Sequence, residues 1–118
     1  ILSATLKGTV SSKKLIKRKK EELVQKKKES QPSQIKTGGS TFKNNKVKKA
    51  WELIKDSGCH NFFVGDAKIS EKHCNFFVNN GKAKASDIEK LIYKVKKEVQ
   101  SQTGVSLDLE IKIIGNEK

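Results

Sequence analysis

The spacing of apolar residues changes at Gly104, and this change constrains the fold more than any other feature. Before Gly104, five apolar residues have the spacing of one helix face: Ile88, Leu91, Ile92, Val95 and Val99. After it, residues 105–113 alternate between apolar and polar, which is typical of a strand with one buried face. Residues 86–89 predict a capping box at the helix start. A helix followed by a half-buried strand predicts a small two-layer α+β domain, with helices packed on an antiparallel or mixed sheet.

Shorter patterns predict further elements along the chain. Residues 1–7 alternate like a strand that has no partner nearby. Residues 12–29 predict a basic helix with a thin apolar stripe, with a disordered basic linker as the alternative. The Pro- and Gly-containing stretch 30–45 is interpreted as a loop. The other predictions are a helix over 46–57 ended by Gly58, strands over 61–64 and 67–69 joined at Gly65-Asp66, and a strand over 75–78.

The chain is strongly basic, since lysine and arginine outnumber acidic residues by 26 to 13 and the formal net charge is +13. Such an excess attracts phosphates, nucleic acids or acidic membranes. Arg18 is the only arginine, and base recognition favours the two-pronged arginine side chain, so nucleic-acid binding is disfavoured as the main role. No stretch approaches the roughly 20 apolar residues that span a bilayer, so we expect no membrane partner.

Two cysteines, Cys59 and Cys74, are too few for a disulfide framework and favour reduced thiols in the cytoplasm. Each has a histidine neighbour, His60 or His73, so four residues of zinc-binding type are present. Adjacent residues on a strand point to opposite faces, and structural zinc sites usually space paired ligands two or more residues apart. The spacing therefore disfavours a metal site, and we predict no bound metal.

Several blocks of sequence together resemble one enzyme family. The blocks are Gly39-Ser40-Thr41-Phe42-Lys43-Asn44, Ala50-Trp51-Glu52-Leu53-Ile54, Gly65, Ile69-Ser70-Glu71-Lys72-His73-Cys74-Asn75-Phe76 and Leu109-Glu110-Ile111-Lys112-Ile113-Ile114-Gly115. In this order and approximate spacing they resemble the UDP-N-acetylenolpyruvoylglucosamine reductases, also called UDP-N-acetylmuramate dehydrogenases. Residues 1–5 and Gln31-Pro32 resemble their counterparts too, so the similarity extends over nearly the whole chain.

The resemblance implies a cytoplasmic enzyme of peptidoglycan synthesis that uses FAD and NADPH. Its substrate would be UDP-N-acetylglucosamine enolpyruvate, which is reduced to UDP-N-acetylmuramate. Hydride would pass from NADPH to the flavin and then to one carbon of the double bond. The resemblance implies that Ser40 protonates the neighbouring carbon and that Glu110 is the catalytic glutamate, on the polar face of the last strand. Serine is a weak acid, so nearby groups must stabilise the developing charge.

The resemblance also implies residues that contact the substrate. The candidates are Lys43, Asn44, Lys72, His73 and Asn75, with Ser70 as a further residue that shapes the pocket. The basic surface would help to attract a diphosphate substrate, although salt screens such long-range attraction.

Three positions depart from the family pattern. Asn45 stands where the family has proline, which would pre-set the loop, so we expect a less rigid loop. Asp66 stands where a second glycine is usual, and it would be strained if that turn needs a positive φ. Lys112 stands where arginine is usual, and lysine lacks the two-pronged contact.

The resemblance divides the chain into three parts. Residues 1–8 are predicted to be the last strand of a missing FAD-binding domain, residues 9–34 a basic helix and linker, and residues 35–118 the C-terminal substrate-binding domain. No flavin-binding sequence is present, so we expect the chain alone to bind no FAD and to reduce nothing. Two alternatives stay open, namely a degenerate remnant without chemistry and a basic module that binds nucleic acid.

Overall fold

In the computed structural model, residues 1–32 and 35–115 are described, and the chain divides into two compact units, Ile1–Ser30 and Gln31–Lys118. The first unit contains helix α1 (Lys13–Ser30), which buries no residue. Pairs four residues apart support it: Arg18 Nε donates to Glu22 at 3.0 Å, and Gln25 Nε2 donates to Glu29 at 2.7 Å. The predicted basic helix is confirmed. Within the described residues, no helix has the length and apolar character to cross a bilayer.

Residues 1–7, predicted to be a strand of a sheet that lies outside this chain, form no regular element here. The chain carries no regular element before α1, and the side chains of this stretch are exposed. A strand exists only where its main-chain N–H and C=O groups have a partner strand. Because the predicted partner strands belong to a domain outside this chain, the assignment of residues 1–8 to the last strand of that domain stays a prediction.

The second unit is a two-layer α+β fold. Its elements are β1 (Lys36–Ser40), α2 (Ala50–Asp56), a 3₁₀ turn (Cys59–Asn61), β2 (Phe63–Val64), β3 (Ala67–Ile69), β4 (Phe76–Asn79) and α3 (Ala85–Thr103). The four strands form one sheet in the order β1-β4-β3-β2, and all three pairings are antiparallel. Helix α3 packs against β2 and β3, and α2 packs against α3. The predicted fold class is confirmed.

The core lies between the helices and the sheet. The predicted stripe of α3 is buried, since Leu91, Ile92, Val95 and Val99 are each at most 1% exposed. It packs in one cluster with residues of α2 and the sheet, among them Leu53, Ile54, Ile69 and Phe77. Fully burying an aliphatic side chain of this size stabilises a fold by about 1.5–3 kcal/mol. The helical period at 88–99 therefore predicts the core correctly.

The hairpin between β2 and β3 also follows the sequence. Val64 pairs with Ala67, so Gly65-Asp66 is a two-residue turn, and Gly65 has a φ of 53°. Two-residue hairpins favour turns with positive φ, which glycine adopts without strain. The predicted turn is confirmed.

The stretch 30–45 is not simply the loop that its proline and glycines predict, because β1 occupies its middle. Thr37 lies opposite Val78, and Lys36 lies opposite Asn79. Strand pairing depends on main-chain hydrogen bonds, which glycine and threonine can make as well as any residue. The neighbouring strand β4 therefore overrides the weak strand preference of this sequence.

Helix α2 begins four residues later than predicted, at Ala50 instead of residue 46. Val47 is 87% exposed and does not belong to the helix stripe. Asn45 Oδ1 accepts from the main-chain N–H groups of Val47 and Lys48, both at 2.8 Å, which holds this segment in a turn. The helix ends before Gly58, whose φ is 71°, as predicted.

The capping box predicted at residues 86–89 is wrong. Helix α3 begins at Ala85, and Asp87 rather than Glu89 is the residue that reaches back. Asp87 Oδ2 accepts from the main-chain N–H of Lys84 at 2.9 Å. Two acidic residues stand in the first five positions of the segment, and the sequence pattern does not decide between them.

The strand predicted over residues 105–113 is reduced to one isolated pairing, Phe42 with Leu109. Leu107 is buried at 1% exposure, so the alternation still correctly identifies an inward-facing residue. Two main-chain hydrogen bonds flank this pairing, from Lys43 N–H to the carbonyl of Asp108 and from Glu110 N–H to the carbonyl of Thr41. Within the described residues the pairing is not extended into a ladder, so the prediction of a regular strand over residues 105–113 is wrong.

Candidate active site

Strand β1 contains a β-bulge directly before Ser40. Thr37 lies opposite Val78 and Ser40 lies opposite Phe76, so β1 advances by three residues while β4 advances by two. One extra residue on one strand disrupts the hydrogen-bond ladder, bends the strand and changes the direction in which the following side chains point. The bulge therefore places Ser40 at the end of β1 in a position that a regular strand would not give it.

Gly39 makes this bulge sterically accessible. Its φ is 87°, and no atom lies within 4 Å of the position that a Cβ would occupy. The backbone conformation, and not a lack of space, therefore requires glycine here. Gly38 is not required in the same way. A Cβ at this position would lie 3.8 Å from Ile111 Cγ2, which is an ordinary van der Waals distance.

The side chain of Thr37 bridges the bulge. Its hydroxyl donates to the main-chain carbonyl of Phe77 at 2.7 Å and accepts from the main-chain N–H of Gly39 at 3.3 Å. A bulge leaves ladder groups without a main-chain partner, so this hydroxyl satisfies groups that the irregularity frees. Thr37 is not among the residues predicted from the sequence, because a threonine before two glycines carries no distinctive signal.

Asn75 holds the segment that follows Ser40. Its Oδ1 accepts from the N–H of Phe42 at 2.9 Å, and its Nδ2 donates to the carbonyl of Phe42 at 2.8 Å. Its own carbonyl accepts from the N–H of Thr41 at 2.8 Å. Asn75 is only 3% exposed. The Asn75 side-chain amide, predicted to contact substrate, is therefore buried. It binds the main chain of Phe42 with the same pair of hydrogen bonds that a residue of a neighbouring strand would make.

The pairing of Phe42 with Leu109 brings Glu110 to the same place. The N–H of Glu110 donates to the carbonyl of Thr41 at 2.9 Å, and the N–H of Lys43 donates to the carbonyl of Asp108 at 2.8 Å. The main chain of Glu110 therefore lies beside the residue that follows Ser40, while its side chain is exposed. The two residues predicted to be catalytic lie on neighbouring segments.

The other predicted substrate contacts divide into two groups. Asn44 Oδ1 accepts from the N–H of Ala50 at 3.0 Å and so supports the start of α2. His73 Nδ1 accepts from the N–H of Asn75 at 3.2 Å. Lys43 and Lys72 are exposed, and the N–H of Lys72 donates to Ser70 Oγ at 3.2 Å. Asn44 is exposed as well, but its side-chain oxygen is used by the main chain of α2.

The comparison with known proteins identifies the family. Residues 31–114 match the family model described as UDP-N-acetylenolpyruvoylglucosamine reductase, C-terminal domain. The chain belongs to this family. The resemblance that the residue blocks indicate is thereby confirmed.

Relatives and a solved structure agree with the family model. The UDP-N-acetylenolpyruvoylglucosamine reductase of Pelagibacter ubique is 50% identical over 116 residues and covers 96% of this chain. That of Gluconobacter oxydans is 43% identical over 115 residues and covers 98%. The crystal structure of UDP-N-acetylenolpyruvylglucosamine reductase from Thermus caldophilus matches 86% of this chain with a TM-score of 0.71 and 37% identity. The chain spans 38% of the length of both relatives and 35% of the solved chain.

Two residues that depart from the pattern expected for the reductases, Asn45 and Asp66, each accept hydrogen bonds from the main chain of nearby turns. Asn45, which replaces the expected proline, accepts two main-chain hydrogen bonds through Oδ1, so the side chain restrains the turn that proline would pre-set. Asp66, at a position where the resemblance predicts glycine, accepts from the N–H of Lys82 through Oδ2 at 2.8 Å, and its carbonyl accepts from the N–H of Asn80 at 2.8 Å. Asp66 thus joins the β2–β3 turn to the turn after β4.

Two neighbouring clefts lie on one side of the reductase-type domain. One, of about 370 Å³, borders the bulge at Thr37 and Gly38, and the other, of about 910 Å³, lies between the start of α3 and residues 111–115. Three residues line both clefts: Ile88, Ile111 and Lys112. Of these, Lys112 stands where the resemblance predicts arginine. Neither Ser40 nor Glu110 is among the residues that line these two clefts.

Both cysteines are free thiols with raised pKa values. Burial raises the pKa of Cys59 to about 11, with Glu98 adding to the rise and Lys94 opposing it. Burial also raises the pKa of Cys74, against the opposing charge of Lys55. Both thiols are free and stay protonated at neutral pH. In the described ranges, no three His, Cys, Asp or Glu side chains are grouped to hold a metal ion.

His73 should make stability depend on pH. Burial lowers the pKa of His73 below its ordinary value of 6.5, against a weaker raising effect of its own backbone hydrogen bond. The unfolded chain therefore takes up a proton before the folded chain does. The stabilising contribution is present above about pH 6.5 and is lost as the pH falls through the folded-state pKa.

Urea unfolding at about pH 7.5 and about pH 5.5 measures this dependence. We expect His73→Phe to lose less stability between the two values than the parent, because phenylalanine does not titrate. His60→Phe is the control, since His60 is exposed and should leave the difference unchanged. An undiminished pH difference in His73→Phe would contradict the assignment.

Proposed function

We propose that this chain is the C-terminal, substrate-binding part of a reductase that converts UDP-N-acetylglucosamine enolpyruvate to UDP-N-acetylmuramate in peptidoglycan synthesis. The family membership of residues 31–114 supports this function. The observation that carries it is the bulge that presents Ser40 beside the segment of Glu110. Because the chain spans 38% of its relatives, we propose that FAD and NADPH are held by flavin-binding domains outside it.

In this proposal the flavin, when bound, supplies the hydride that it receives from NADPH. The residues of this chain manage the proton. Ser40 Oγ donates its proton to the carbon beside the one that receives hydride, and a hydroxyl fixed by a bulge gives protonation on one face. The carboxylate of Glu110 handles a second proton or polarises the substrate carboxyl, which helps a weakly acidic serine to act.

Substrate contacts in this proposal fall mainly on the exposed lysines. Lys43 follows the Ser40 segment and Lys72 follows Ser70, and both ammonium groups suit the diphosphate of a nucleotide sugar. Asn44, His73 and Asn75 instead act by shaping these segments, since each has a side-chain hydrogen bond to the main chain. We place the enzyme in the cytoplasm, which suits its two free cysteines.

One observation favours a second candidate, a nucleic-acid-binding module. Helix α1 carries nine lysine and arginine residues and three glutamates, counted over Lys13–Ser30. Such a surface attracts phosphate backbones without reading bases. The single arginine and the family membership both favour the reductase.

Titration of the 118-residue chain separates the two candidates. We expect UDP-N-acetylglucosamine to shift amide signals near Lys43 and Lys72 in an NMR titration, and N-acetylglucosamine without UDP to shift them much less. Duplex DNA should bind weakly at about 0.05 M salt and lose that binding at about 0.2 M. Strong DNA binding with a steep salt dependence, together with no response to the nucleotide sugar, would favour the nucleic-acid module.

A further inference from the structure

The place of Ser40 is set by its main chain. Within the described ranges its hydroxyl makes no hydrogen bond to another residue, so the residues on either side determine where Oγ lies. Downstream, Asn75 holds Thr41 and Phe42. Upstream, the bulge is the only feature between Ser40 and the regular ladder of β1. We propose that Thr37 is a positioning residue that sets the place of Ser40 through the bulge, an inference that rests on the proposed function.

The geometry of the Thr37 hydroxyl carries this proposal. It donates to Phe77 O at 2.7 Å on the opposite strand and accepts from Gly39 N at 3.3 Å, one residue before Ser40. The two hydrogen bonds therefore fix both ends of the irregular segment 37–39. Without them, the left-handed conformation at Gly39 (φ 87°) has fewer restraints. A change in that conformation turns the chain and moves Ser40 Oγ away from its target carbon.

The kinetic test uses a chimera in which residues 1–118 replace the aligned part of the Pelagibacter ubique reductase. Thr37→Val keeps the shape of the side chain and removes both hydrogen bonds. We expect kcat to fall about 10- to 100-fold with KM changed less than about threefold, since small misplacements of a reacting group cost this much. The solvent deuterium isotope effect on kcat should rise because proton delivery becomes slower. Thr37→Ser keeps the hydroxyl and should restore kcat.

Thr103→Val is the matched control. Thr103 Oγ1 donates to Val99 O at 2.7 Å and accepts from Val105 N at 3.2 Å, the same two bonds at the end of α3. It should lower the unfolding midpoint without changing kcat. A second variant, Gly39→Ala, should lower kcat as Thr37→Val does, whereas Gly38→Ala should not. If Thr37→Val does not fold, comparison of Gly39→Ala with Gly38→Ala still tests the role of the bulge.

The outcomes separate this inference from the function on which it rests. Parental kcat in Thr37→Val and in Gly39→Ala, beside an inactive Ser40→Ala, would overturn the positioning role and leave the proposed function standing. Equal losses of kcat in Thr37→Val and Thr103→Val would also overturn it, because the effect would follow stability alone. Parental kcat in Ser40→Ala would overturn the proposed function and this inference together.

Discussion

Ser40→Ala is expected to lower the kcat of the chimera by about 10²- to 10⁴-fold, the usual contribution of a positioned proton donor. Hydride transfer would still be possible, but the neighbouring carbon would have no protein group to protonate it. KM should change little, because the hydroxyl acts on the reacting carbon rather than on the nucleotide. Ser40→Cys keeps an acidic hydrogen at the same place and should retain part of the activity.

Steady-state oxidation of NADPH measures this effect. Ser101→Ala is the control, because Ser101 lies on α3 and is exposed, and its kcat should equal the parental value. A Ser40→Ala variant that keeps its flavin and turns over within about twofold of the parent would contradict the assigned role.

Asn75→Ala is expected to cause the largest loss of stability that we predict for a single residue. The change leaves the N–H and the carbonyl of Phe42 without their side-chain partners. Each buried polar group left unsatisfied costs about 1–3 kcal/mol, so we expect the free energy of unfolding to fall by about 3–5 kcal/mol. Phe42 is fully buried, so water cannot readily replace the lost partner.

Urea unfolding of the 118-residue chain, followed by the fluorescence of its single tryptophan, Trp51, measures this loss. Asn61→Ala is the matched control, since Asn61 is exposed and its change should stay within about 0.5 kcal/mol. A loss below about 1 kcal/mol in Asn75→Ala would mean that the two hydrogen bonds do not hold the segment after Ser40.

The elements that the sequence predicts well are those in which side chains drive the structure. The stripe of α3 is visible because burial of Leu91, Ile92, Val95 and Val99 imposes a period on the sequence. Strand β1 is invisible for the opposite reason. Its residues Lys36–Ser40 are held by main-chain bonds to β4, and no side-chain period records such bonds. Residues 105–113 have the period of a strand but only a short partner segment at Phe42.

The candidate site divides in the same way. Ser40 and Glu110 could be named because whole blocks of sequence resemble the reductase family, and the structure brings their segments together. The hydrogen bonds of Thr37 and Asn75 could not be predicted from the sequence. Thr37 binds Phe77, which is 40 residues away along the chain, and Asn75 binds Phe42, which is 33 residues away. A single sequence carries no sign of hydrogen bonds that depend on the register of two strands.

The activity of the chimera itself decides whether residues 1–118 complete a reductase. The N-terminal part of the Pelagibacter ubique reductase is assayed alone and joined to residues 1–118, with UDP-N-acetylglucosamine enolpyruvate and NADPH. We predict no formation of UDP-N-acetylmuramate by the N-terminal part alone and steady turnover by the chimera. A folded chimera that binds flavin but forms no product would contradict the proposed function and favour a degenerate remnant.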